Sequence, residues 1–176
     1  LHPEADLIYT DEDQVNEADQ YFAPHFKPNW CPDSLLSRMY SGDLGVYRRD
    51  LIQDLGGWQL DYGEAGNFDL ILRFTEKTVN IFHLPQILYH KRQIAPKAIA
   101  SLNQNYQKAI ADALIRRQEP GKVIEHPEIP GIYTVRYQIT DYKLVSIIIP
   151  TKNLGKVLDQ CLKSIFTHST YPNYEV

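Results

Sequence analysis

The chain has 176 residues, with 18 Lys plus Arg against 22 Asp plus Glu and a formal charge of −4. Apolar residues make up 43% and charged residues 23%, the balance of an ordinary soluble globular chain, and the length suffices for one domain or for one domain and part of another. The mild acidity and the lack of any Lys/Arg run beyond a dipeptide argue against a nucleic-acid groove. No apolar stretch approaches the roughly 20 residues that span a bilayer. Cys31 and Cys161 stand far apart. That spacing disfavours a disulfide framework or a zinc site and makes a reducing compartment the default.

In chain order, Ala5 to Thr10 is short, apolar and β-prone, and predicts a buried strand running into Asp11-Glu12-Asp13. Asn16 to Pro32, with its prolines and aromatics, predicts a long structured loop. Pro32 and Asp33 open a short helix to Tyr40. Leu44 to Arg48 predicts a strand, and Asp50 to Leu55 a helix stopped by Gly56-Gly57. Asn67 stands as an N-cap before a helix over Phe68 to Lys77, with Leu70, Ile71 and Phe74 on one face. Asn80 to Leu84 and Ile87 to His90 predict two strands around Pro85.

Ile99, Leu102, Tyr106, Ile110 and Ala113 predict a long amphipathic helix from Pro96 to about Gln118. Lys122 to Tyr142 reads as a connector with some extended structure. Val145 to Ile149 is a continuous β-branched run suited to a strand buried on both faces, and Leu154 to Phe166 predicts an amphipathic helix. The chain opens on Leu1, its single Met is Met39, and Tyr174-Glu175-Val176 reads as the entry to a strand. The expectation is a piece of a longer protein.

The succession ADLIYTDED, FKPNWCPDSLL, GVYRRDLI…LGGW, FDLILRFTE and HLPQILYHKR resembles the second half of a family 2 glycosyltransferase domain. VSIIIPTKN, CLKSIF and YPNYEV resemble the beginning of another such domain. The resemblance implies an α/β fold of Rossmann-like, mostly parallel type. Residues 1–93 are then the metal- and acceptor-side part of one domain, 94–143 a helical and extended linker, and 144–176 the first strand and helix of a tandem second domain. It implies inverting transfer of a sugar from a nucleotide-diphosphate donor to an acceptor hydroxyl of a glycan or lipid-linked acceptor, in surface polysaccharide or glycan assembly. It also implies a cytoplasmic position peripheral to the membrane. The alternative, from a different class, is a non-catalytic module of the same shape that binds a nucleotide-sugar, glycan or protein.

Alternate carboxylates at a strand end suit a hard divalent cation that keeps waters and binds phosphate oxygens. Asp11 and Asp13 are therefore candidate ligands of Mn²⁺ or Mg²⁺ and donor contacts, with a solvated acidic loop as the plain alternative. The resemblance adds His90 as a third ligand, and Arg92 and Thr151 as donor contacts. It commonly puts an Asp base two residues before Asp69-Leu70, where this chain has Asn67. Asn cannot take a proton. Either Glu64 or Asp69 substitutes, or the domain binds without transferring, or the loop Asp61 to Asn67 aligns differently. Asp43 stands where the family often has His, and reads as a contact to acceptor or as a turn residue. Trp58 and Trp30 are candidate sugar platforms, because a flat apolar ring complements a sugar face; core packing is the alternative. A lone sheet-core strand at Val145 to Ile149 fills a slot in the first half-domain or pairs with another chain, giving self-association.

Overall fold

A computed structural model describes residues 2–92 and 100–176. The central strand, β1 (Leu7–Val15), runs straight through Asp11-Glu12-Asp13, so the acidic triplet lies within the strand instead of after it. Neighbours on both edges satisfy its backbone and extend it. On one edge β4 (Ile81–Arg92) runs parallel to it for its whole length, pairing Leu7 with Ile81 and Asp13 with His90. On the other edge β3 (Gly45–Tyr47) lies antiparallel beside Leu7 to Tyr9, and β2 (Tyr21–His25) beside Glu12 to Val15. A register shift between Thr10 and Asp11 accommodates Pro85 and Gln86, and one between Asp11 and Glu12 accommodates Leu88, so the two strands expected around Pro85 are one continuous strand.

This is a mixed α/β architecture. A mostly parallel, Rossmann-like sheet is not seen among the described residues: β1 has one parallel and two antiparallel neighbours. The loop expected over Asn16 to Pro32 contains β2.

The parallel β1–β4 pair needs a crossover. It is built from α1 (Pro32–Ser37), α2 (Arg49–Asp54), a 3₁₀ helix (Leu60–Ala65) and α3 (Gly66–Thr75). Phe68, Ile71, Leu72 and Phe74 of α3 are fully buried against Leu7 and Tyr9 of β1 and Leu35 of α1, each contributing about 2–3 kcal/mol by removal from water. Residue 65, not 67, is the N-cap of α3, and no side chain caps it.

The helix α4 (Ala100–Arg117) adds Ala109, Ile110, Ala113 and Leu114 to the same core. The expected start of that helix, Pro96 to Ile99, lies outside the described residues, as does the expected boundary at residue 93. The connector beyond it is a hairpin, β5 (Gly121–Glu125) with β6 (Tyr133–Tyr137), whose Val123 and Tyr133 are also in the core. Residues 100–138 of the stretch expected as a linker thus belong to a compact unit with residues before them, Leu1–Gln138.

A second unit, Ile139–Val176, holds β7 (Val145–Ser146), α5 (Gly155–His168) and β8 (Tyr174–Glu175). β7 and β8 are parallel, so the three elements form a small β-α-β unit. The strand is shorter than the sequence predicts and is not buried: Val145 and Ile148 are exposed, and α5 has no buried residue. Among the described residues no helix is long and apolar enough to cross a membrane.

Candidate functional site

The three carboxylates of β1 have three different environments. Asp11 is buried, and its Oδ1 accepts the backbone N–H of Lys27 at 2.8 Å and lies 2.8 Å from His83 Nε2 on β4. Burial pushes the Asp11 carboxyl up, but the Lys27 N–H and the His83 imidazole outweigh it and hold the carboxyl below its ordinary range. His83 is stacked on Tyr9, with ring centres 4.9 Å apart.

Glu12 takes the Lys27 amine at 3.0 Å, and that amine also donates to the Ser41 carbonyl at 2.8 Å. The Lys27 side chain is wholly buried. It lies close against Gly42, where φ is +79° and an added Cβ would stand 2.1 Å from Nζ. His25 Nδ1 lies 3.6 Å from the same Glu12 carboxyl.

Asp13 is buried like Asp11, but its partner is of another kind. Its partner is the half-exposed His90, whose Nδ1 is 2.5 Å from Asp13 Oδ1, and the exposed Tyr21 ring lies 4.5 Å from the imidazole. The next residue of β4, Lys91, donates to Asp43 at 2.5 Å, and this carboxylate holds the Lys91 amine above its ordinary range. Asp43 is thus an ion-pair partner. Arg92 reaches Asp19 at 3.3 Å.

The helical side comes close to the same strand end. Burial, then the Asp43 and Glu64 carboxylates, push the Tyr106 phenol of α4 up, against Lys91. Glu64 is exposed on the 3₁₀ helix. Asp69 is wholly buried, with both Nε and Nη2 of Arg73 on its Oδ2 at 2.8 and 2.7 Å. That burial leaves it no route to an acceptor hydroxyl; it holds Arg73, which in turn fastens α3 to the Leu55 and Gly57 carbonyls of the loop before it. Asn67 is no N-cap: its Oδ1 accepts the Trp58 indole N–H at 2.7 Å.

The fold therefore brings Asp11, Asp13, His90 and Arg92 onto adjacent strands, with Glu64 on the helical side. Trp58 is exposed beside α3, whereas Trp30 packs against Tyr40 and lines a cavity of about 790 Å³ with Pro32, Leu55, Arg73 and Arg116. Thr151 is an exposed loop residue of the second unit. Lys27 and His83 were not foreseen. Their signals were faint: a basic residue in the aromatic stretch FKPNW, and a polar residue between the apolar Phe82 and Leu84.

Among the described residues no three His, Cys, Asp or Glu side chains gather as a metal cluster. Asp11 and Glu12 are turned toward protein donors. Asp13 and His90 stand side by side, a carboxylate and an imidazole. Such a pair fits a hydrated divalent cation that takes its other ligands from phosphate and water.

No family model matches the chain. It is 34% identical over 181 aligned positions to the O-antigen biosynthesis protein RfbC of Myxococcus xanthus, covering 99% of this chain and 14% of that protein. It is 32% identical over 183 positions to the uncharacterized protein y4gI of Sinorhizobium fredii, covering 99% of this chain and 20% of that protein. The chain is thus similar over nearly its whole length to a protein named for O-antigen biosynthesis. It spans about a seventh and a fifth of these curated relatives.

Proposed function

We propose that the chain is part of a metal-dependent, inverting family 2 glycosyltransferase that moves a sugar from a nucleotide-diphosphate donor to an acceptor hydroxyl in surface polysaccharide assembly. The observation that carries this reading is the meeting of Asp13 and His90. They lie 77 residues apart in the chain and 2.5 Å apart across the β1–β4 pair. The likeness to a protein named for O-antigen biosynthesis supports it.

Asp13 and His90 would hold Mn²⁺ or Mg²⁺, with Asp11 behind them fixing the strand end. The cation would offset the charge that develops on the departing diphosphate. Arg92 would add positive charge for phosphate. Glu64, exposed on the helical side, would be the base that takes the acceptor proton. The β-α-β unit of residues 139–176 would open a second such domain, with Thr151 facing a nucleotide.

The test is calorimetry on the full-length protein with Mn²⁺ alone, then with Mn²⁺ and UDP or GDP. Asp13→Asn and His90→Ala should each weaken Mn²⁺ binding by roughly 10-fold or more, and Glu64→Gln should nearly abolish transfer while sparing donor binding. Wild-type Mn²⁺ affinity in both site variants would overturn the metal assignment. Unchanged turnover in Glu64→Gln would remove that residue as base.

Asn67 favours a second reading, the binding module without turnover. Its carboxamide has no useful proton affinity and holds Trp58. Nucleotide-sugar binding by the full-length protein without turnover would decide for it.

A further inference from the structure

Trp58 combines two properties that seldom occur together. The residue is 59% exposed, yet its indole is held at two points. The ring N–H donates to Asn67 Oδ1 at 2.7 Å. The ring edge packs over the first residue of α3, Gly66, where an added Cβ would stand 3.4 Å from Trp58 Cδ1. The chain just before it is pinned as well: Arg73 donates to the carbonyls of Leu55 at 2.9 Å and Gly57 at 2.8 Å, and is itself held by the buried Asp69.

An indole left in water gains little from burial, so core packing does not explain this arrangement. A fixed, exposed aromatic face is available to stack on a ligand. Its chemistry suits a sugar ring, which lays its C–H face on the indole and points its hydroxyls at acceptors in the plane. Carboxylates stand nearby in the chain, at Asp61 and Glu64, both exposed on the 3₁₀ helix.

We infer that Trp58 is a stacking platform for an acceptor sugar and that Asn67 is the positioning residue that holds it. The inference rests on the transfer reading for the word acceptor, but the sugar site itself does not. Asn67 orients a ring and cannot take a proton. An Asp there would still accept the indole N–H.

The experiment uses the full-length protein with isotope-labelled indoles, free of metal and nucleotide. It is titrated by NMR with methyl α-L-rhamnoside, methyl α-D-mannoside and methyl β-D-N-acetylglucosaminide, and separately with UMP. Trp58→Phe identifies the Trp58 indole signal. At least one glycoside should move that signal and leave the Trp30 signal in place. Asn67→Ala should shift the unliganded Trp58 signal and weaken the same glycoside by about 5- to 10-fold, the scale of one well-placed aromatic contact. Asn67→Asp should restore binding to within about twofold of wild type. Trp58→Phe keeps a ring but loses the tether, and should bind weakly when followed through the glycoside's own signals.

The inference is overturned if no glycoside moves the Trp58 signal, if only UMP does, or if Asn67→Ala titrates like wild type. Sugar binding without turnover on any nucleotide-sugar would instead defeat the transfer reading and leave the platform standing.

Discussion

Asp13 with His90 and Asp69 with Arg73 are both acid–base pairs next to candidate chemistry, and the fold treats them in opposite ways. The first joins two strands where the sheet reaches solvent, and its imidazole is half-exposed. The second is sealed inside α3, where Arg73 is committed to Asp69 and to two loop carbonyls. A carboxylate with all its partners indoors stabilises and is closed to ligands. A carboxylate with one labile partner at a rim can exchange it for a cation. Asp13 is itself buried, so the difference from its neighbours lies in the partner: Asp11 and Glu12 hold the Lys27 backbone and the buried Lys27 amine, Asp13 a half-exposed imidazole.

The contrast is broken most severely at Asp69. Asp69→Ala leaves the Arg73 guanidinium buried without its counter-charge, and unfolding free energy should fall by about 3–5 kcal/mol. Denaturant midpoints read this directly; a loss under about 1 kcal/mol would mean that Asp69 is not structural. Lys27 comes next. Lys27→Met removes two hydrogen bonds and leaves Glu12 half-buried without its amine. A loss of about 2 kcal/mol is expected in the same measurement.

How much of this was legible differs from place to place. Most elements, among them α2, α3, α4 and α5, could be read from apolar spacing and from glycine stops, because those signals are local. The extent of β1 could not. Acidic residues read as a loop, and only pairing with β4 on one edge and β2 on the other keeps Asp11 to Val15 extended. The hairpin β5–β6 was blurred by Pro127 and Pro130, which fall between its strands.

At the site, Asp13 and His90 were named from the sequence, and the fold brings them together. Asp69 and Asn67 were named for chemistry or capping, and tertiary partners give them other work: a buried Arg73 in one case and an indole in the other. Lys27 escaped notice because its buried amine meets Glu12, the Ser41 carbonyl and the bare backbone of Gly42. No local pattern announces that meeting.

Asp11 gives a smaller effect with a definite sign. Its carboxyl is held below the ordinary range in the folded chain, so the unfolded chain takes up this proton at higher pH. The stabilisation is complete above the ordinary aspartate value and drains away as pH falls through the lower folded value. Asp11→Asn should therefore flatten the acid limb of a plot of unfolding midpoint against pH between about pH 2 and 6. An acid limb as steep as in wild type would place the titrating group elsewhere.

The smallest stability effect belongs to Asp13, and it sharpens the contrast most. Asp13 is itself buried, but its imidazole partner is half-exposed and Asn keeps an oxygen that can meet it, so Asp13→Asn should change unfolding free energy by about 1 kcal/mol. A side chain that matters only for the fold would lose stability and binding together. One that serves a ligand separates them: Asp13→Asn should keep its midpoint while Mn²⁺ stabilisation of the wild-type protein, read as a rise in midpoint with added Mn²⁺, disappears in the variant. If Asp13→Asn instead costs as much as Asp69→Ala and Mn²⁺ shifts neither protein, the two pairs are both structural and the strand end is not a cation site.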